Sequence, residues 1–248
     1  LNFRHSWRPY QQRVLDAIEQ HLDDQRLHVV AAPGAGKTTL GLEVFRRLQK
    51  PAIVLSPTRV IRDQWLQRLD DFCDVQDSSM QDWVSNDIHN PKTLTSVTYQ
   101  ALHAQLSDDL DAETDDDVDD SEAVDEPVND TELNGFIQLL KKHDIGVIIM
   151  DEAHHLRSEW WRAITKTLEE LPDMVLVSLT ATPPYDAQNN EWAKYETLCG
   201  PIDEEISVPE LVKAGTLCTH QDFIWAVNVS PTEKQRIKEY DRRVEGLC

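Results

Sequence analysis

The chain has 248 residues, 40% of them hydrophobic, enough for one large core or two small ones, and no segment approaches the ~20 consecutive apolar residues of a membrane helix. Its net charge of −21 excludes a uniformly basic nucleic-acid surface. However, fourteen of the 45 acids fall between Asp108 and Glu132 with no Lys or Arg among them, and the remaining 31 acids against 24 bases leave room for a local basic groove. The four cysteines, Cys73, Cys199, Cys218 and Cys248, lack CxxC spacing, which argues against a zinc site or disulfide framework and fits a reducing, cytoplasmic compartment.

The first residues, LNFRHSWRPYQQ, contain no apolar run of the signal-peptide kind. Tyr10, Val14, Leu15, Ile18 and Leu22 recur at helical spacing and predict a helix over 10–22. Leu27 to Ala32 is an apolar run and predicts a strand, followed by the loop AAPGAGKT (31–38) and a helix, TLGLEVFRRLQK. PAIVLSP (51–57) reads as a buried second strand, and Val60, Ile61, Trp65, Leu66, Leu69 and Phe72 as one face of the next helix. TLTSVTY (93–99) is β-branched and predicts a third strand.

The acidic stretch 107–132 has the composition of a disordered insertion. Beyond it come a short helix (133–142), a strongly apolar strand (145–150) ending in Asp151-Glu152, and a one-faced helix carrying Trp160, Trp161, Ile164, Leu168 and Leu171. MVLVSLTATPP (174–184) is a fifth strand ending in a polar turn. Residues 207–215 predict a helix capped by Ser207 and stopped by Gly215. Residues 222–229 read as a strand, and TEKQRIKEYDRR as a polar helix. Apolar strands alternating with helices predict an α/β fold: a mainly parallel sheet with helices on both faces. The polar motifs follow the C-terminal ends of strands one, four and five, where open sheets of this kind bind ligands.

A strand, a glycine-containing loop and a helix opening with Lys-Thr is the context of a phosphate-binding P-loop. Gly34 and Gly36 let the chain bend so that several N–H groups face an anion, and the new helix adds the positive end of its dipole. Pro33 to Thr39, including Ala35, form the wrap; Lys37 reaches the β- and γ-phosphates of ATP and Thr38 places its hydroxyl on Mg²⁺. Ala31 stands where the pattern GxxxxGK(S/T) has its first Gly. An acid at a neighbouring strand end completes a Mg-nucleotide arrangement: Asp151 for the cation, and Glu152 to orient or deprotonate the attacking water. Lys37, Asp151 and Glu152 are thus the candidate catalytic set.

From about residue 7 to 229 the chain resembles the superfamily 2 helicases and translocases of the DExD/H type, nearest to the DNA-translocase and type III restriction-like branches. RPYQQRVLDAI (8–18) resembles their adenine-reading segment, which puts Arg8 and Gln11 with the nucleotide. AAPGAGKTT resembles motif I, and SPTRVIRDQW (56–65) resembles motif Ia, which implies backbone contacts from Pro57, Thr58 and Arg59. TSVTYQAL (95–102) is similar to motif Ib, implying contacts from Thr98, Tyr99 and Gln100, with core packing an equal alternative for Tyr99. DEAH (151–154) is similar to motif II and SLTATP (178–183) to motif III, which makes His154, Thr180 and Thr182 candidates for coupling the γ-phosphate to the nucleic-acid site. VPELVKAGTL is similar to a segment that often ends the first ATPase domain of those branches.

The resemblance implies a RecA-like P-loop NTPase domain over 1–229, with 230–248 the start of a connection to a second such domain in cis that supplies the arginine finger. The expected activity is nucleic-acid-dependent ATP hydrolysis with Mg²⁺, coupled to movement on DNA in preference to RNA, and weak in this piece alone. Expected partners are nucleic acid, the second domain and proteins docked on the acidic insertion, with no membrane. Trp65, Trp160 and Trp161 are expected in the core. The alternative is a nucleotide-gated interaction module that hydrolyses little.

Overall fold

The computed structural model describes residues 1–72, 80–106, 129–155, 158–185, 189–219, 221, 230, 233–236 and 238. The strands are β1 (Arg26–Ala31), β2 (Ala52–Ser56), β3 (Val84–Ser85), β4 (Leu94–Thr98), β5 (Val147–Asp151), β6 (Val175–Thr180) and β7 (Glu204–Ile206). The helices are α1 (Pro9–Ala17), α2 (Lys37–Leu48), α3 (Arg59–Arg68), α4 (Met80–Trp83), α5 (Tyr99–Leu106), α6 (Asp130–Lys142), α7 (Ser158–Glu170), α8 (Asn189–Cys199) and α9 (Val208–Lys213).

The strands form one seven-stranded sheet in the order β3-β4-β2-β5-β6-β1-β7, with every pairing parallel. Alternate residues of the central strands feed opposite cores. Val54, Ile149 and Val177 face a cluster containing Leu15, Leu40, Phe45 and Trp65; Leu55, Met150 and Leu176 face one containing Leu102, Phe136, Ile164 and Leu198. Burial on both faces is why these strands read as continuous apolar runs rather than as an alternation. The expected doubly covered parallel sheet is thus present.

The register decides where chemistry can occur. Asp151 of β5 lies opposite Leu179 of β6, and Thr180 opposite Val30 of β1. The ends of β1, β6 and β5 are therefore adjacent, and the loop after β1 stands ~10 Å across the sheet from Asp151. Ser56 pairs with Thr98, so the segments after β2 and β4 emerge side by side at the same end of the sheet.

Several boundaries differ from expectation. α1 ends at Ala17 and passes into a 3-10 turn, Ile18–Gln20. α6 starts at Asp130, inside the stretch expected to be disordered. The Asn129 side chain accepts a hydrogen bond from Thr131 N–H, and Asp130 and Glu132 complement the dipole at the helix start; residues 107–128 lie outside the described residues. Ser207 holds the N-cap position of α9 without a side-chain capping bond, and Gly215 follows with φ +70°. The short edge strands β3 and β7, and α8, were not foreseen.

Residues 1–217 form one compact unit and 218–248 a second, and the expected domain end at 229 falls within the second. The strand expected at 222–229 lies outside the described residues. In the second unit Glu233–Arg236 are helical, and Ser230 and Glu233 exchange the reciprocal bonds of a capping box. No described helix is long and apolar enough to cross a membrane.

Candidate nucleotide-binding site

The loop after β1 is built by its backbone. Ala35 N–H donates to Ala32 O at 3.0 Å, and Gly34 and Gly36 sit at φ +85° and +88°, a region costly for residues with a Cβ. A Cβ on Gly36 would also stand 2.6 Å from Gln11 Nε2. α2 starts at Lys37 with no side chain capping its first turn, so its leading N–H groups face the loop. Gln11, Gly34, Gly36 and Lys37 line, together with Asp151 and Glu152, a cleft of about 590 Å³, a volume suited to a nucleotide.

Arg8, Gln11, Pro33, Gly34, Gly36, Lys37, Thr38 and Thr39 all line this cleft. Ala35 is fully buried, so only its backbone takes part. Gln11 already has partners: its Nε2 donates to Ala35 O at 2.9 Å, and its Oε1 accepts from Arg8 N–H at 3.2 Å. The Arg8 guanidinium donates to Tyr10 Oη at 2.9 Å and Gly34 O at 3.4 Å. In this state Arg8 and Gln11 brace the phosphate loop.

Lys37 Nζ lies 3.1 Å from Glu152 Oε1 and 3.4 Å from Ala31 O. Glu152 has φ +51°, strained for a side chain of this kind, and Ala181 N–H donates to its Oε2 at 3.4 Å. His154 Nδ1 is 3.6 Å from the same Oε2 and 2.7 Å from Thr180 Oγ1. Thr180 Oγ1 shares a hydrogen bond with His154 Nδ1 and also accepts from Thr182 N–H at 3.3 Å. The acid at the end of β5 and the polar turn after β6 thus share one network, and all three coupling candidates belong to it.

Asp151 is 3% exposed. Its Oδ2 accepts from the indole N–H of Trp65 at 2.7 Å and its Oδ1 from Glu152 N–H at 3.1 Å. Burial pushes its carboxyl up to about 6; the Trp65 bond and Lys37 oppose that, and Glu152 adds to it. Because the folded value lies above the ordinary 3.8, this group stabilises the fold below pH 3.8 and loses that contribution as pH rises through about 6. At neutral pH the loss is on the order of 3 kcal/mol. Asp151→Asn, uncharged at every pH, is therefore expected to flatten the fall in melting temperature of the nucleotide-free protein between pH 4 and 7. Superimposable pH profiles for variant and wild type would contradict this.

Among the described residues no group of three or more His, Cys, Asp or Glu could hold a metal by itself. One buried carboxylate and the Thr38 hydroxyl, both lining the cleft, are hard oxygen donors. They fit a cation carried in by phosphates and completed by water.

The candidate strand contacts divide. Thr58 and Arg59 are exposed at the start of α3, where Thr58 Oγ1 accepts from Ile61 N–H at 3.3 Å; Pro57 is half-buried. Gln100 is exposed at the same end of the sheet, beside Thr98, which is buried and caps α5 by accepting from Ala101 N–H. Tyr99 is corrected to a core residue. It is 1% exposed, stacks on Trp160 with ring centroids 5.1 Å apart, and donates to Asp151 O at 3.1 Å. Sequence reasoning missed both supports of Asp151, since Trp65 was assigned only to the core and Tyr99 to a strand contact or the core. No spacing rule signals a hydrogen bond between residues 86 positions apart.

The family model of the type III restriction enzyme, res subunit, matches residues 4–185. The chain belongs to that family. The superfamily 2 resemblance drawn from its motifs agrees with this assignment. This res-subunit-family chain is 26% identical over 196 residues to the DNA 3'-5' translocase XPB2 of Sulfurisphaera tokodaii, covering 79% of this chain and 35% of that protein. It is 41% identical over 61 residues, 24% of this chain and 14% of the other, to the putative helicase 055L of Frog virus 3. The chain thus spans about a third of the translocase, and less of the viral protein. Among solved structures the Pyrococcus furiosus Hef helicase domain shares the fold, with a TM-score of 0.54 and 16% identity over 84% of this chain and 40% of that one.

Proposed function

We propose that this domain is the ATP-hydrolysing first half of a DNA translocase or helicase, working with a second RecA-like domain in cis and preferring DNA to RNA. The observation that carries the reading is the Lys37–Glu152 ion pair in a cleft floored by the phosphate loop, continuous through His154 and Thr180 with the turn after β6. Entry of ATP transfers Lys37 from Glu152 to the β- and γ-phosphates. The released Glu152 carboxylate, still held by Ala181 N–H, orients the attacking water and takes its proton. Mg²⁺, held by Thr38 and Asp151, would neutralise charge on the phosphate oxygens. The movement of Glu152 reaches His154, Thr180 and Thr182 in the turn after β6.

A placed Glu152 is what the non-hydrolysing alternative lacks a use for. The preference for DNA is supported by the translocase relative. The test is ATPase activity of the full-length protein alone and with single-stranded DNA, duplex DNA and RNA. The expected result is stimulation by DNA of ten-fold or more. Turnover unaffected by every nucleic acid would overturn the reading.

A further inference from the structure

We propose that Trp65 is a positioning residue that couples the exposed start of α3 to the cation-facing carboxylate of Asp151; the coupling half of this inference rests on the proposed function above. Trp65 is fully buried, and its indole N–H donates to Asp151 Oδ2 at 2.7 Å. With Glu152 N–H on Oδ1, both carboxylate oxygens are held, so the plane of the group is set and its remaining lone pairs are directed. Filling the core does not require this bond; an apolar ring would pack as well.

The surroundings are shaped to admit the ring. Gly41 lies in the interior of α2, where Gly costs about 1 kcal/mol relative to Ala. A Cβ there would stand 2.3 Å from Trp65 Cη2 and 3.0 Å from a Leu179 methyl. The ring therefore packs on the helix that starts at Lys37, while its N–H reaches Asp151.

α3 transmits movement. Arg59 at its first turn is exposed, and Trp65 follows ~9 Å further along the same helix. One hydrogen bond joins the middle of the helix to β4: Ser96 Oγ donates to Arg62 O at 3.1 Å. A strand phosphate drawn to the start of α3 shifts the helix as a body. A shift of about 1 Å makes or breaks a bond of 2.7 Å. The coupling is reciprocal: metal-nucleotide in the cleft alters strand affinity as much as strand alters metal-nucleotide affinity.

The test is a linkage measurement in Trp65→Phe, which keeps an apolar ring and removes the donor. Affinity of the full-length protein for fluorescent mant-ADP with Mg²⁺ is measured with and without duplex DNA, and circular dichroism checks the fold. The readout is the ratio of the two affinities, so a uniform loss of binding cancels. Wild type is expected to give a ratio that differs from one by 5-fold or more, and Trp65→Phe a ratio within about twofold of one. A folded variant that keeps the wild-type ratio overturns the Trp65 coupling and leaves the proposed function standing. A wild-type ratio of one overturns the coupling, whereas the proposed function falls only if nucleic acid leaves turnover unaffected.

If Trp65→Phe does not fold, the wild-type protein labelled with 5-fluorotryptophan decides. One of its seven indole fluorine resonances must shift both with Mg·ADP and, separately, with DNA. Absence of any resonance responding to both overturns the coupling.

Discussion

Lys37→Ala is expected to lower affinity for Mg·ATP by roughly 30-fold to 1,000-fold or more, the cost of removing one partner from a desolvated charged pair. The side chain is only 12% exposed, so the phosphates would meet its ammonium with little water between them. Among the described residues that line the cleft, the other Lys or Arg side chains are Arg8 and Arg68, and Arg8 is already held by Tyr10 and Gly34. The same change removes the partner of Glu152 and a charge that offsets the rise at Asp151. The nucleotide-free variant is thus also expected to melt below wild type at pH 8. Titration with mant-ATP checks the first effect and calorimetry the second. An affinity within threefold of wild type would show that the phosphates lie elsewhere.

Glu152→Gln is expected to behave in the opposite way: binding kept, turnover reduced by ~100-fold to 10,000-fold, the range for loss of a general base. The amide oxygen can still accept from Ala181 N–H, so the strained backbone at φ +51° keeps its support. Its lost charge no longer competes for Lys37, which in the nucleotide-free protein sits 3.1 Å from Glu152. A part-exposed ion pair of this kind contributes up to about 1 kcal/mol, so ATP affinity is expected to rise by as much as about fivefold. Single-turnover hydrolysis and equilibrium binding separate the two effects. Turnover near the wild-type rate would remove Glu152 from the role assigned to it.

The phosphate loop was legible because all of its determinants are local. A run of apolar residues, two glycines and Lys37-Thr38 fall within a dozen positions, and the helix that follows carries its own period. The acid at the end of β5 was legible for the same reason, and the parallel sheet followed from strands such as Val147–Asp151 that are apolar at every interior position.

What escaped was non-local. Trp65 and Asp151 are 86 residues apart, and nothing in an amphipathic helix pattern distinguishes a core indole from one that donates to a carboxylate. Tyr99 sits at a strand end among residues resembling a strand-binding motif; only the stacking on Trp160 places it inside. The edge strand Val84–Ser85 is too short for any period to show. At Asp130 the local composition pointed to disorder, but an Asn cap and a well-buried helical face, with Leu133, Phe136, Ile137 and Leu140, outweighed the acids of the first turn.

The central claim is that one triphosphate is held between Lys37 and Asp151 and displaces the Lys37–Glu152 pair. A crystal structure of the protein grown with Mg²⁺, ADP and beryllium fluoride measures this directly. The account predicts the phosphate mimic wrapped by Pro33–Thr39, Lys37 Nζ moved from Glu152 onto it, and Asp151 turned to the cation with Trp65 still bonded to Oδ2. Nucleotide bound at another surface, with Lys37 still 3.1 Å from Glu152, would contradict it.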